Sequence, residues 1–227
     1  ATAIGGEAAR RILVSVQVAV AMTLLLGVGV LLRSYIHLAH VDPGLRAEGV
    51  ATVSLDLPPS DYPMPPLDQY PRWPEVVQFM DKLIERARAI PGAQSVALTQ
   101  HAPLAPAWTT SLEVEGRSVP EGTHEEIQLN GFSPGSLATL GIPLLAGRDF
   151  DARDRADSAK VLLINAAAAQ RYFPGQDPVG RRIRFWGTWR EVVGVVGDVR
   201  SDGLTEPAQP MLHAPLAQMP MSSMTLS

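Results

Sequence analysis

Ile12-Leu-Val-Ser-Val-Gln-Val-Ala-Val-Ala-Met-Thr-Leu-Leu-Leu-Gly-Val-Gly-Val-Leu-Leu32 is a stretch of 21 residues with no formal charge. At about 1.5 Å rise per residue, a helix of that length spans roughly 30 Å, the thickness of a bilayer's hydrocarbon core. A buried helix of a soluble protein seldom stays apolar on every face for so many turns. A cleaved leader has a shorter apolar core and a small-x-small site just after it. Here the run continues instead into Arg33-Ser-Tyr-Ile-His-Leu-Ala-His40, which has an interfacial composition. The stretch predicts a transmembrane helix, assigned with its flank to residues 12–36.

The flanks set its direction. Arg10 and Arg11 precede the run, and positive residues favour the cytoplasmic side. Arg33 opposes them weakly, because its side chain can reach back to the headgroups. Residues 1–11 are therefore expected in the cytoplasm and 37–47 as a linker leaving the membrane. Everything after about residue 40 is expected on the far side, the periplasm for a bacterial inner membrane. Ser15, Ala19, Thr23 and Gly27 recur every fourth position. A stripe of small residues lets a second helix approach closely, so these four are the candidate helix-packing residues. Gln17 is better satisfied against protein than against lipid.

Outward from the helix, the composition excludes more than it suggests. The chain has 227 residues, a formal charge of −4, 20 prolines, 19 glycines and no cysteine. Its length suffices for a sizeable core. Disulfides and thiolate metal sites are excluded. From residue 38 onward there are 16 Lys+Arg against 22 Asp+Glu, with no basic stripe, so nucleic acid is not an expected partner.

The pattern beyond residue 48 is α+β. Val50–Leu57 alternates like a half-buried strand, and the proline-rich 58–66 is loop. From Pro74, Val76, Val77, Met80, Leu83, Ile84 and Ala87 fall on one helix face, and Pro91-Gly92 stops the helix. Gln94–Thr99 reads as the next strand. Ser111–Glu115, Glu126–Gly131 and Ile142–Phe150 read as short strands around a brief helix at Pro134–Leu140. A second strand–helix–strand unit follows, with Lys160–Asn165 as strand and Ala166–Phe173 as helix. Arg182–Trp186 and Arg190–Val199 form a hairpin about Gly187. Two such units separated by a β-rich insert predict a two-lobed α+β domain. The chain ends at Met224-Thr-Leu-Ser227 in what reads as a strand, and is expected to be a piece of a longer protein.

Catalytic motifs are missing. No Gly-x4-Gly-Lys-Ser/Thr occurs, and the only lysines are Lys82 and Lys160. There is no Gly-x-Ser-x-Gly and no His-Glu-x-x-His. His37 and His40 are the only close histidine pair, and they lack a third ligand. Asp149, Asp151, Asp154 and Asp157 are interleaved with Arg148, Arg153 and Arg155, so a solvated, self-paired loop is expected and not a calcium site. Gly194-Val-Val-Gly197-Asp198 lies in a strand without a following helix, which fits a bulge or close packing and not a dinucleotide loop. Trp186 and Trp189 are read as packing residues. No catalytic residue, cofactor or metal is expected.

Several phrases nevertheless resemble one family. Gln17-Val-Ala, Leu-Leu-Gly27-Val-Gly-Val-Leu-Leu-Arg-Ser34 and Val41-Asp-Pro-Gly44 are similar to the first helix and exit of FtsX/MacB-type ABC transporter permeases. Ile90-Pro-Gly92, Ser133-Pro-Gly135, Leu140-Gly-Ile-Pro-Leu-Leu-Ala-Gly-Arg148, Tyr172-Phe-Pro-Gly175, Asp177-Pro-Val-Gly-Arg-Arg182 and Arg190-Glu-Val-Val-Gly-Val-Val-Gly-Asp-Val-Arg200 resemble its MacB-like periplasmic core domain. The phrases are most like those of the duplicated orphan permeases of some soil bacteria. One departure is Ala166–Ala169, where relatives tend to carry an acidic residue after the asparagine matching Asn165; this leaves a polar role there in doubt.

The resemblance implies a non-catalytic permease segment, working with a cytoplasmic ABC ATPase on a separate chain, in contact with membrane lipid and in a permease dimer. ATP-driven movement would pass through the membrane to export or extract a substrate. It also implies a porter-like lobe from residues 48–100 and 158–227, with 101–157 as the inserted β-rich lobe. The alternative is a membrane-anchored extracytoplasmic sensor or ligand-binding domain, which would show the same helix and α+β domain.

Overall fold

The computed structural model describes residues 3–39, 41–46, 49–66, 72–102, 104–117, 125–203 and 205–227, with side chains in the first helix from Arg10 to Ile36. Helix α1 runs unbroken over Ala3–Ala39, 37 residues. Neither Gly27 nor Gly29 interrupts it. Each weakens a helix in water, but in lipid the backbone has no other partner for its hydrogen bonds. The helix exceeds the expected 12–36 because nothing stops it before Pro43, and the residue preceding a proline disfavours helix. His40 lies outside the described residues, as does the His37 side chain.

Residues 43–227 form a second compact unit. Its elements are β1 (Val53–Asp56), α2 (Pro74–Arg88), β2 (Leu98–Thr99), β3 (Trp108–Val114), β4 (Glu125–Phe132), α3 (Ser136–Leu140), β5 (Leu144–Gly147), β6 (Val161–Asn165), α4 (Ala166–Tyr172), β7 (Arg182–Phe185), β8 (Thr188–Val196), β9 (Met211–Pro215) and β10 (Ser223–Leu226). Among the described residues, all ten strands hydrogen-bond into one sheet.

Six of the strands close on themselves. β4 pairs β3, β3 pairs β7, β7 pairs β8, β8 pairs β6, β6 pairs β9, and β9 returns to β4. β4–β9 and β6–β8 are parallel; the other four pairings are antiparallel. Closure removes exposed strand edges, and alternate residues point inward. The pairs Leu112/Val114, Ile127/Leu129, Ile183/Phe185, Leu162/Ile164 and Leu212/Ala214 obey that period of two and form one core. Ala168 and Tyr172 of α4 join it, the Tyr172 hydroxyl donating to Glu126 O at 3.2 Å.

A second core, with Val161, Leu163, Val193 and Val196, packs under Leu137 and Leu140 of α3. A third core lies where Val76 and Met80 of α2 meet Leu98 and Met224. That helix covers an outer sheet, β1–β10–β2, joined to the ring through one strand: Phe132 of β4 pairs Thr99 of β2 and Pro215 of β9.

Several elements differ from the sequence reading. β2 has two residues where six were expected, though Ala97 and Ser227 continue the pairing with two 2.9 Å bonds. β5 is shorter than 142–150, and β8 starts and ends earlier than 190–199. β9 was not anticipated. The expected tight backbone at Gly194 is present. β6 and β8 shift register between Leu162 and Leu163, and a Cβ on Gly194 would stand 2.6 Å from Arg148 O.

Candidate functional site

Two features stand out as candidate functional elements, the apolar helix and the polar groups on the second unit. Arg10–Ile36 is a predominantly apolar span of 27 residues whose side chains are exposed along its length. At about 1.5 Å per residue it reaches roughly 40 Å, enough for the hydrocarbon core and an interface. Ser15, Ala19, Thr23 and Gly27 share a helix face by their spacing. The Thr23 hydroxyl donates to Ala19 O at 2.9 Å, so its polar group is satisfied within the helix. Apart from its chain neighbours and the helix's own backbone, no atom of the described residues lies within 4 Å of a Cβ placed on Gly27.

The acidic run of residues 149–154 is a turn organised by arginine. Arg148 Nη1 and Nη2 each donate to Asp154 at 2.8 Å, and Arg153 pairs Asp151 at 2.7 Å. Burial raises the Asp154 pKa, but the hydrogen bonds from Arg148 and the Asp151 N–H, with the Arg148 charge, outweigh it and hold the carboxyl below its usual range. The hydrogen bonds of Arg153 hold Asp151 low as well. The self-pairing matches expectation. Most of the loop is solvated too, with the Arg153 side chain 79% exposed; Asp154, at 5%, is the exception.

At the start of α4, Asn165 caps the helix. Its Oδ1 accepts from Ala168 N at 2.9 Å and from Met211 N at 2.8 Å, and its Nδ2 donates to Gln209 O at 2.8 Å. The next free amide, Ala167 N, donates to Asp198 Oδ1 at 2.9 Å. An acidic group therefore does sit at this helix start, contributed by a distant segment and not by residue 166. A carboxylate there is favoured by the helix dipole.

The hairpin carries the two tryptophans read as packing residues. Trp186 (φ 47°) and Gly187 (φ 71°) both take the left-handed conformation that a tight two-residue turn demands. For tryptophan this costs on the order of 1 kcal/mol. Trp186 is 45% exposed and Trp189 38% exposed, so neither is a core residue. Their rings meet Phe185 edge-on at 5.6 Å and the Arg182 guanidinium at 5.9 Å.

His213, in β9, escaped the sequence reading. It is 2% exposed and stacks on Phe132 with ring centroids 4.2 Å apart. Burial pulls its pKa down to about 3, leaving the ring neutral at ordinary pH. A surface cleft of two adjoining hollows, about 380 and 410 Å³, runs along α2 and shares Val77, Asp81, Arg155 and Ala217. Among the described residues no three His, Asp or Glu side chains gather as metal ligands.

A family model described as MacB-like periplasmic core domain matches residues 18–226. Among solved structures, the chain is similar to the periplasmic region of MacB from Actinobacillus actinomycetemcomitans (16% identity, 84% of this chain and 79% of that chain, TM-score 0.49). It is also similar to a domain of a putative permease protein from Porphyromonas gingivalis (18% identity, 64% of each chain, TM-score 0.44). A third is the extracellular domain of the noncanonic ABC-type transporter YknZ from Gram-positive bacteria (17% identity, 78% of this chain and 83% of that chain, TM-score 0.46). No curated protein matches the chain.

Proposed function

Since the chain belongs to the family of MacB-like periplasmic core domains, we propose that it is the anchored periplasmic part of an ABC transporter permease. In this reading it transmits the ATP-driven movement of a separate cytoplasmic ATPase to the export or extraction of a substrate. The family match over 18–226 carries the proposal, because it begins inside the apolar helix and runs through the whole second unit. The helix would sit in the bacterial inner membrane, with the chain after about residue 40 in the periplasm. The protein itself would catalyse no reaction.

Ser15, Ala19, Thr23 and Gly27 would be the contact face for another helix of the permease or of its dimer mate. Small side chains there let two backbones approach and gain van der Waals contact that lipid tails match poorly. Residues 48–100 and 158–227 would act as the porter-like lobe and 101–157 as the inserted lobe. β3 and β4 of the insert hydrogen-bond directly to β7 and β9. Movement between such lobes would therefore be carried as strain through a continuous sheet.

The test is cross-linking of the chain in its native membrane, followed by purification and mass spectrometry. Recovery of an ABC ATPase is expected. Recovery of a histidine kinase or other signalling module in its place would favour a sensor and overturn the permease reading.

A further inference from the structure

β2, β4 and β9 meet where the closed ring joins the outer sheet, and three polar side chains converge there. Asn130 of β4 and His213 of β9 are register partners in the parallel ladder. His101, just past β2, donates its backbone N–H to Asn130 Oδ1 at 3.1 Å. The Thr99 hydroxyl donates to His101 O at 2.7 Å, so the His101 backbone is pinned. What remains is side-chain nitrogen. His213 Nδ1 and His101 Nε2 are both buried, and no group among the described residues bonds to either.

Both imidazoles line the same small, partly open hollow, of about 30 Å³. Asn130 and Ser201 add polar wall, while Phe132, Leu140 and Ile142 close the apolar side. A cavity needs roughly 10–15 Å³ to admit one water, and the water needs two to four polar partners. An apolar cavity of this size would stay dry; this one offers two imidazole nitrogens. A neutral imidazole nitrogen left unpaired in the interior is costly, and a bridging water recovers much of that cost.

We propose that this cavity is a built site for one ordered water, which bridges His101 and His213 across the junction of the ring and the outer sheet. The water completes the polar contacts that Asn130 begins. It thereby fastens the loop after β2 to the buried strand β9, where only a few ladder bonds connect the two parts.

The test is a crystal structure of the full chain at a resolution that shows ordered solvent, together with imidazole nitrogen spectra. The expected result is a solvent peak within about 2.7–3.2 Å of both nitrogens. A water-exchange signal at the His213 ring should accompany it and be lost in His213→Phe, whose ring can still stack on Phe132. A cavity without solvent, or either nitrogen bonded to a protein group, overturns the proposal. So does a bound cation with contacts of about 2.0–2.1 Å, which would make this a metal site. Should His213→Phe fail to fold, the unsubstituted chain decides the matter on its own.

Discussion

The same residue types meet opposite fates in the two units. In α1, Leu26 is 73% exposed and every described side chain lies at the surface; in the ring, Leu129 is 0% exposed. An apolar helix this bare is unstable in water and at ease in hydrocarbon. Closing the ring solves a different problem, since its leucines and valines must leave water by packing on one another. One unit takes its solvent from outside and the other builds its own. Identical substitutions should therefore have unequal effects in the two regions.

The largest contrast is expected from truncation. Leu129→Ala opens a hole in the ring core and should cost about 2–5 kcal/mol of unfolding free energy. Leu26→Ala has no such core to disturb and should change membrane insertion by about a few tenths of a kcal/mol. Denaturant melts and an insertion assay measure the two. Equal effects would erase the distinction.

A second contrast is acid sensitivity. The folded-state pKa of His213 lies below its unfolded value, so the unfolded chain binds a proton that the folded chain refuses. Stability should fall as pH drops below about 6.5, by up to about 1.4 kcal/mol per unit, until the folded value near 3 is reached. His213→Phe should flatten that slope between about pH 6.5 and 5.5, above most of the carboxylate titration. α1 contains no comparable group between Arg10 and Arg33. A slope unchanged by the substitution would show that the ring takes up the charge without cost.

The smallest effect concerns the helix face. Ala19→Leu, Thr23→Leu or Gly27→Leu should weaken helix association by on the order of 1 kcal/mol. Melting of the second unit should not move. Cross-linking between permease helices that stays at its original level would remove these three positions from the interface.

How much of this could be read in advance differs between the units for physical reasons. α1 was legible because one uncharged run, Ile12–Leu32, has a length that few soluble folds use. α2 was legible from its apolar period, and the Arg182–Val199 hairpin from Gly187. β9 was not. Met211-Leu-His-Ala-Pro215 is buried on both faces, so it shows no alternation; Pro210 precedes it and Pro215 ends it. Ring closure depends on that strand pairing β4 in parallel from some eighty residues away, a contact that leaves no local mark. Asp198 at the start of α4 is long-range in the same way. The face of Ser15, Ala19, Thr23 and Gly27 was visible as spacing; which partner it meets is a matter of other chains.

The most direct test of the account is topology. A reporter enzyme that works only outside the cytoplasm, fused after Ser227 of the full chain, should be active, and a cytoplasm-only reporter at the same place should be silent. The reverse pattern would mean that α1 does not carry the second unit across the membrane, and the permease reading would fall with it.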